Sequence, residues 1–380
     1  MAAREIQTFT LAERPTGNVE VGKTFKLQKG PAPTADQLKD GEILVEALYL
    51  SLDPAMRGWL NGMFLPHPDL ALSASLFQPP RSPAYRHIHP ILHSPVQVGE
   101  KMRGASVAKV LASKNDRVKE GGLVTGFTGW TEVAILDGKS FEVVELPKGA
   151  EVTDAVGCLG MTGLTAYFGL LRIGKPVKGE TVVVSGAAGA TGSIVAQIAK
   201  LKGCRVVGIA GSDDKCAWLK SDLGLDEALN YKSPTFKEDF KTATPDFVNV
   251  FFDNVGGEIL DMVLLRAAFR ARFVMCGAIS GYNNPNKEAA VGIKNLANVT
   301  AQRIHMEGFI VFDFAADYAE GRKELGQWLA DGSLKRKATI VKGGLQEAER
   351  AFSHLFEGKN TGKLLVEVKP YEANVGASRL

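Results

Sequence analysis

Histidine and cysteine are the side chains best able to hold a metal, and in this chain neither set is spaced for it. Cys158, Cys204, Cys216 and Cys276 are scattered, with no Cys-x-x-Cys pair. They suggest reduced, packed thiols rather than a disulfide framework or a zinc site. His87, His89 and His93 fall close together, but in a proline-broken stretch with no acid or thiol nearby, and no metal is expected there.

The stretch whose spacing does carry chemistry is V182-V-V-S-G-A-A-G-A-T-G192. A β-branched run predicts a strand, and the glycines and alanines after it strip the side chains from a turn. Ile194, Ile198 and Leu201 then recur at i, i+4 and i+7, as on the sheet-facing stripe of a helix. Strand, tight turn and helix N-terminus together form a cradle in which backbone N–H groups and the positive helix end meet a pyrophosphate. Spaced as G-x-G-x-x-G, Ala187 takes the first position, Gly189 and Gly192 the second and third, and Ala188, Ala190 and Thr191 complete the cradle. Close packing of a helix on a sheet would ask for similar glycines. A second strand at the correct distance, C204-R-V-V-G-I-A210, favours the dinucleotide.

The end of that second strand decides between cofactors, because NAD-specific sites usually place an acid there for the ribose 2′-hydroxyl. Here the chain reads I209-A-G-S-D-D-K215. Gly211 and Ser212 leave space, and Lys215 can meet a 2′-phosphate. Asp213 and Asp214 read better as capping and first-turn residues of the next helix. NADP(H) is the cofactor expected.

The elements that must position these residues follow from length and pattern. At 380 residues the chain is about twice the usual single-domain length, so two domains are expected. Up to Lys148, E42-I-L-V-E-A-L-Y-L50, S106-V-A-K-V-L-A-S113 and G122-L-V-T-G-F127 read as strands of a β-rich, barrel-like domain. From Gly149, strands alternate with helices; T181-V-V-V-S185, C204–A210, F247-V-N-V-F-F252 and R272-F-V-M-C276 predict a parallel sheet. After Thr339 a strand, a helix near 347–355 and a last strand, L364-L-V-E-V-K369, are expected to rejoin the first domain. The division is thus 1–148 with 340–380, and 149–339. Between them in character is M63–P95, with seven prolines, which reads as a long functional or disordered loop.

The 45 basic and 42 acidic residues are interspersed, which gives no basic stripe and argues against nucleic acid. No window approaches the ~18 apolar residues of a membrane span, and the N-terminus lacks a signal-peptide core. A cytoplasmic protein is expected. The final S378-R-L380 resembles the peroxisomal S-K-L address, though a polar tail can spell it by chance.

Eight motifs in register carry a resemblance that runs from about Glu42 to Lys369. They are G160-M-T-G-L-T-A166, A187-A-G-A-T-G192, G211-S-D-D-K215, N230-Y-K232, F252-D-N-V-G-G257, C276-G-A-I-S-G-Y-N283, G308-F-I-V311 and N360-T-G-K363. The chain resembles the medium-chain dehydrogenase/reductase superfamily, and within it the zinc-independent prostaglandin reductases and NADPH-dependent alkenal double-bond reductases. This resemblance implies an α/β fold, a Rossmann doubly wound parallel sheet plus a GroES-like barrel. It also implies that Lys215 and Tyr231 hold the 2′-phosphate, with Asn254, Cys276 and Gly277 along the adenosine and pyrophosphate path. Phe309, Ile310, Val311 and Asn360 would line the nicotinamide half with Met161 and Thr165 beneath, and Tyr282 matches the active-site tyrosine. Read on their own, Cys276 and Phe309 to Val311 could be plain core, and Tyr231 and Tyr282 half-buried tyrosines.

The implied reaction is 1,4-reduction of an α,β-unsaturated ketone or aldehyde. NADPH would deliver hydride to the β-carbon, with Tyr282 and the cofactor ribose 2′-hydroxyl stabilising the enolate oxygen. Quinone reduction, or a non-catalytic NADPH-binding scaffold, would use the same nucleotide site. The expected partners are this small-molecule substrate and a second copy of the chain as a homodimer. Two departures stand out: Ala55 replaces a tyrosine common in the family, and the proline-rich stretch is longer than the family's loop.

Overall fold

The structure is a computed structural model that describes residues 4–61, 94–284 and 292–371. The three histidines, nearly all of the proline-rich stretch and the terminal tripeptide lie outside the described residues.

The first lobe is built from β1 (Glu5–Leu11), β2 (Phe25–Pro31), β3 (Ile43–Leu52), β4 (Ser106–Ser113), β5 (Leu123–Gly126), β6 (Val133–Leu136) and β7 (Phe141–Val143). The expected strand at 42–50 is therefore longer, because Leu50, Ser51 and Leu52 are also buried and pair across the sheet. The second lobe contributes β8 (Thr181–Val184), β9 (Arg205–Ala210), β10 (Glu227–Asn230), β11 (Val248–Asp253), β12 (Ala267–Met275) and β13 (His305–Gly308), before the chain returns as β14 (Ala338–Val341) and β15 (Lys363–Glu367).

Two large sheets result. One is parallel throughout, in the order β10-β9-β8-β11-β12-β13. That is the doubly wound order whose crevice opens where the strand sequence reverses, between β8 and β11. The other runs β14-β15-β3-β4-β5-β7, with β6 also on β3, and is antiparallel except where β14 meets β15. The return of the C-terminal segment is fixed by packing as well as pairing. Phe352, on the helix Ala348–Phe356, joins Phe9, Phe25 and the fully buried Trp130 in one aromatic cluster, with ring centroids 4.9–6.5 Å apart.

All four residues of β8 are buried, as befits a central strand covered on both faces. Each such valine contributes about 1.5–3 kcal/mol by leaving water. The helix Ala190–Leu201 packs on it through Ile194 and Ile198. Leu201 departs from the expected stripe: it is 42% exposed, because it is the helix's last residue and the chain turns away there. Phe247 departs as well. It precedes β11 at φ 64, exposed, with the Arg266 guanidinium 4.4 Å from its ring centre.

Candidate active site

The glycine turn forms one wall of the crevice. β8 is followed by Ser185, whose hydroxyl donates to Asp253 Oδ1 at 2.7 Å. Gly186 follows at φ 58, a left-handed conformation that glycine adopts without a Cβ penalty. The turn's special glycine is thus Gly186, one residue before the position assigned from spacing. Ala187 has negative φ and packs fully buried against Gly208 of β9. Gly189 caps the helix in extended conformation without any side-chain cap, so no side chain caps the first-turn N–H groups of Ala190, Thr191 and Gly192, which suits them to an anion. Gly192 is needed for space. A Cβ there would lie 2.3 Å from the Gly186 carbonyl oxygen.

At the adenosine end, Ser212 is the N-cap residue of the helix Asp213–Ser221 and both aspartates lie in its first turn. Asp213 is engaged, its Oδ1 accepting from Asn230 Nδ2 at 2.8 Å. Lys215 Nζ donates to the Gly358 carbonyl at 2.7 Å. Burial first, and then the neighbouring Lys232 ammonium, hold Lys215 below the ordinary lysine range. Tyr231 lies against Gly211, where a Cβ would be 3.0 Å from its ring, and Lys232 Nζ sits 5.7 Å from the same ring centre. Two cations, Lys215 and Lys232, therefore lie close enough to repel one another, an arrangement that suits a phosphate. Lys232 was legible in the N-Y-K motif but was not singled out from sequence.

The floor of the crevice is Asp253, fully buried at the end of β11. Its carboxylate accepts from Ser185 and from the Val255 and Gly256 amides. Burial outweighs these bonds and raises its pKa. Asn254 donates from Nδ2 to the Ser185 carbonyl at 2.7 Å, and the Cys276 and Gly277 amides both donate to the Asp253 carbonyl. Burial, helped by Asp253, pushes the Cys276 thiol up to about 12, so it is a neutral thiol and not a nucleophile.

Tyr282 follows the short turn Ile279–Gly281 that leaves β12. Its hydroxyl oxygen accepts from the Ala278 amide at 3.1 Å, and its O–H proton is left to donate elsewhere. The same oxygen is 3.1 Å from where a Gly277 Cβ would stand, so Gly277 gives the ring its room. Burial raises the phenol pKa, partly offset by the Ala278 bond.

The remaining expected residues divide. Met161 and Thr165 stand one turn apart at the start of the helix Met161–Phe168, with the Thr165 hydroxyl donating to the Met161 carbonyl at 2.7 Å. Phe309 sends its ring into the core against Phe252 and Phe314, and Val311 is buried. Ile310 between them is 42% exposed. Asn360 donates to the Gly362 carbonyl at 2.9 Å, and Gly362 N donates to Ala188 O at 2.8 Å. The loop between the last helix and β15 is thereby stitched to the glycine turn. Gly362 sits at φ 68, and a Cβ there would stand 1.9 Å from the Lys337 carbonyl oxygen. Ala55 is exposed at the start of the helix Met56–Trp59.

Among the described residues no group of three or more His, Cys, Asp and Glu side chains is placed to hold a metal. None of their helices is long and apolar enough to cross a membrane.

Comparison with known proteins agrees with this architecture. The profile described as N-terminal domain of oxidoreductase matches residues 7–75 and 83–144, and the one described as zinc-binding dehydrogenase matches 190–327. The chain is similar to NADPH-dependent curcumin reductase of Escherichia coli, 35% identical over 95% of this chain and 96% of that one. It is also similar to prostaglandin reductase 1 of Bos taurus, 38% identical over 87% and 90%. The crystal structure of CurA in complex with NADPH from Vibrio vulnificus superposes with a TM-score of 0.83 at 36% identity, covering 96% of this chain and 100% of that one. The crevice, the two-sheet architecture and these likenesses together establish that the chain belongs to the medium-chain dehydrogenase/reductase superfamily, among the reductases typified by the prostaglandin and curcumin reductases.

Proposed function

We propose that this protein is an NADPH-dependent enzyme that reduces the C=C bond of α,β-unsaturated ketones and aldehydes. The observation that carries the reading is the Tyr282 hydroxyl. Its oxygen is occupied by the Ala278 amide and its proton is available, at the carboxyl end of the parallel sheet where a crevice ligand is expected. The names of the relatives, prostaglandin reductase, curcumin reductase and 2-alkenal reductase, support the same substrate chemistry.

In this reading the residues from Ala188 to Gly192 hold the pyrophosphate, while Ser212, Lys215, Tyr231 and Lys232 receive the 2′-phosphate. Asn254, Cys276 and Gly277 shape the floor, and Met161, Thr165, Ile310 and Asn360 border the nicotinamide, with Phe309 and Val311 anchoring that segment in the core. The uncapped helix start and the space kept by Gly192 fit such a group. When bound, NADPH supplies the hydride. Tyr282 donates its hydrogen bond to the substrate carbonyl oxygen as negative charge builds there, an interaction made mainly in the transition state. Its raised pKa keeps the phenol protonated at neutral pH.

The test is NADPH consumption with enones, alkenals and quinones, with products analysed for the bond reduced. Tyr282→Phe is expected to leave NADPH affinity nearly unchanged and to slow single-turnover reduction about 10²-fold. Carbonyl reduction in place of C=C reduction, or a Phe variant as fast as wild type, would refute the proposal.

We also propose a homodimer formed through β13. This strand ends the parallel sheet; Phe269 on the neighbouring β12, and Leu265 and Leu296, are more than half exposed.

A further inference from the structure

We propose that Arg57 is a positioning residue for Tyr282, acting through Asn283 across the cleft between the two lobes; the inference rests on the role given to Tyr282 above. Arg57 lies on the short helix Met56–Trp59 of the barrel lobe and is 2% exposed. Its Nη1 donates to Asn61 Oδ1 at 2.6 Å, and its Nη2 donates to the carbonyls of Pro15 and Gly17 at 3.1 and 2.8 Å. Its Nε donates to Asn283 Oδ1 at 2.9 Å, 226 residues away in sequence. Every acceptor is neutral, and among the described residues no carboxylate pairs with it. An unpaired guanidinium is costly to bury, and an apolar side chain would fill the space at less expense. What arginine adds is a rigid planar fork whose donors have fixed directions.

That fork is fixed to the barrel lobe on three sides, and its fourth direction is spent on the residue next to Tyr282. Nearer its base the loop bearing Tyr282 is tied by the Ile279 amide to the Asn254 carbonyl, by the Ser280 amide and hydroxyl to the Val255 carbonyl, and by the Ala278 amide to the tyrosine oxygen. The Arg57 bond holds it from the far side. The same S51-L-D-P-A-M-R57 turn also carries Asp53, which pairs with the buried Lys363 beyond the loop stitched to Ala188. One turn of the barrel lobe therefore touches both the loop that bears Tyr282 and the segment stitched to the glycine turn.

Replacing buried Arg57 risks the fold, so the test uses Asn283 in the full-length protein. Amide exchange at Ala278 in cofactor-free protein reports directly on the Tyr282 pose, because that amide donates to the tyrosine oxygen. Asn283→Ala is expected to speed this exchange about tenfold and to slow single-turnover enone reduction about tenfold. Asn283→Asp, which keeps an acceptor oxygen at the same reach, should restore both. In the Tyr282→Phe background Asn283→Ala should slow reduction no further. Unchanged exchange at Ala278 overturns the inference, as does a rate loss by Asn283→Ala that is equal in both backgrounds. Failure of Tyr282→Phe to slow reduction instead overturns the role of the tyrosine, and is read in a different variant.

Discussion

Lys215 is the residue on which cofactor choice is proposed to turn. With Asp213 held by Asn230 and Lys232 adding a second cation, the pocket rewards a 2′-phosphate. Lys215→Ala should weaken NADPH about 10–150-fold, the value of a charge-assisted contact of ~1.5–3 kcal/mol, and NADH far less. Equal losses in fluorescence titrations of the two cofactors would remove the lysine from the phosphate site. Tyr282 makes a pH prediction. Burial raises its pKa, so the donor form persists above the ordinary tyrosine value of about 10. Single-turnover reduction should therefore show no alkaline fall due to Tyr282 between about pH 6 and 9, and a descending limb near neutrality that Tyr282→Phe abolishes would contradict this. Lys215, Tyr231 and Tyr282 could be nominated from the sequence because each sits in a short motif. Arg57 and Asn283 were not, since no local pattern announces a hydrogen bond between residues 226 positions apart.

At the scale of elements, the glycine turn separates two reasons for having glycine. At Gly192 a Cβ would meet a backbone carbonyl oxygen at 2.3 Å, and neither the turn nor the helix can yield without opening the crevice. Gly192→Ala should abolish measurable NADPH binding and lower the melting temperature. At Gly186 the nearest atom to a Cβ is 3.5 Å away, and the cost is conformational, about 1–2 kcal/mol for the left-handed backbone. Gly186→Ala should therefore lower stability while binding persists; the opposite ranking in paired calorimetric and titration measurements would reverse the assignments. The β-rich first lobe and the parallel character of the second sheet followed from hydrophobic period and turn residues, whereas the strand order and the strands β1, β2, β6, β7, β10 and β13 were not read from the sequence. The one-residue offset between Ala187 and Gly186 did not follow either, because spacing records where glycines stand and not which has positive φ. Leu201 was misplaced for a related reason: periodicity continues to the last helical residue, whereas burial stops where the sheet beneath it ends.

For the whole molecule, the open edge at β13 is the proposed assembly surface. Phe269, 59% exposed with Arg270 and Arg303 guanidinium groups 5.4 and 5.2 Å from its ring centre, is a large apolar side chain held in place and not yet covered. Phe269→Asp should convert a dimer to a monomer in light-scattering measurements while leaving the melting curve of the individual chain largely intact. A wild-type monomer would defeat the proposed assembly. The return of the chain as β15 has a temporal consequence. The parallel sheet is contiguous in sequence and can close during synthesis, but β3 waits for a neighbour supplied from the far end of the chain, and Asp53 waits for Lys363, 310 residues later. The crevice wall made by Gly362 and Ala188 therefore cannot exist until the last strand has left the ribosome. A nascent chain arrested before residue 363 should hold a folded parallel sheet and yet be unable to retain the nucleotide.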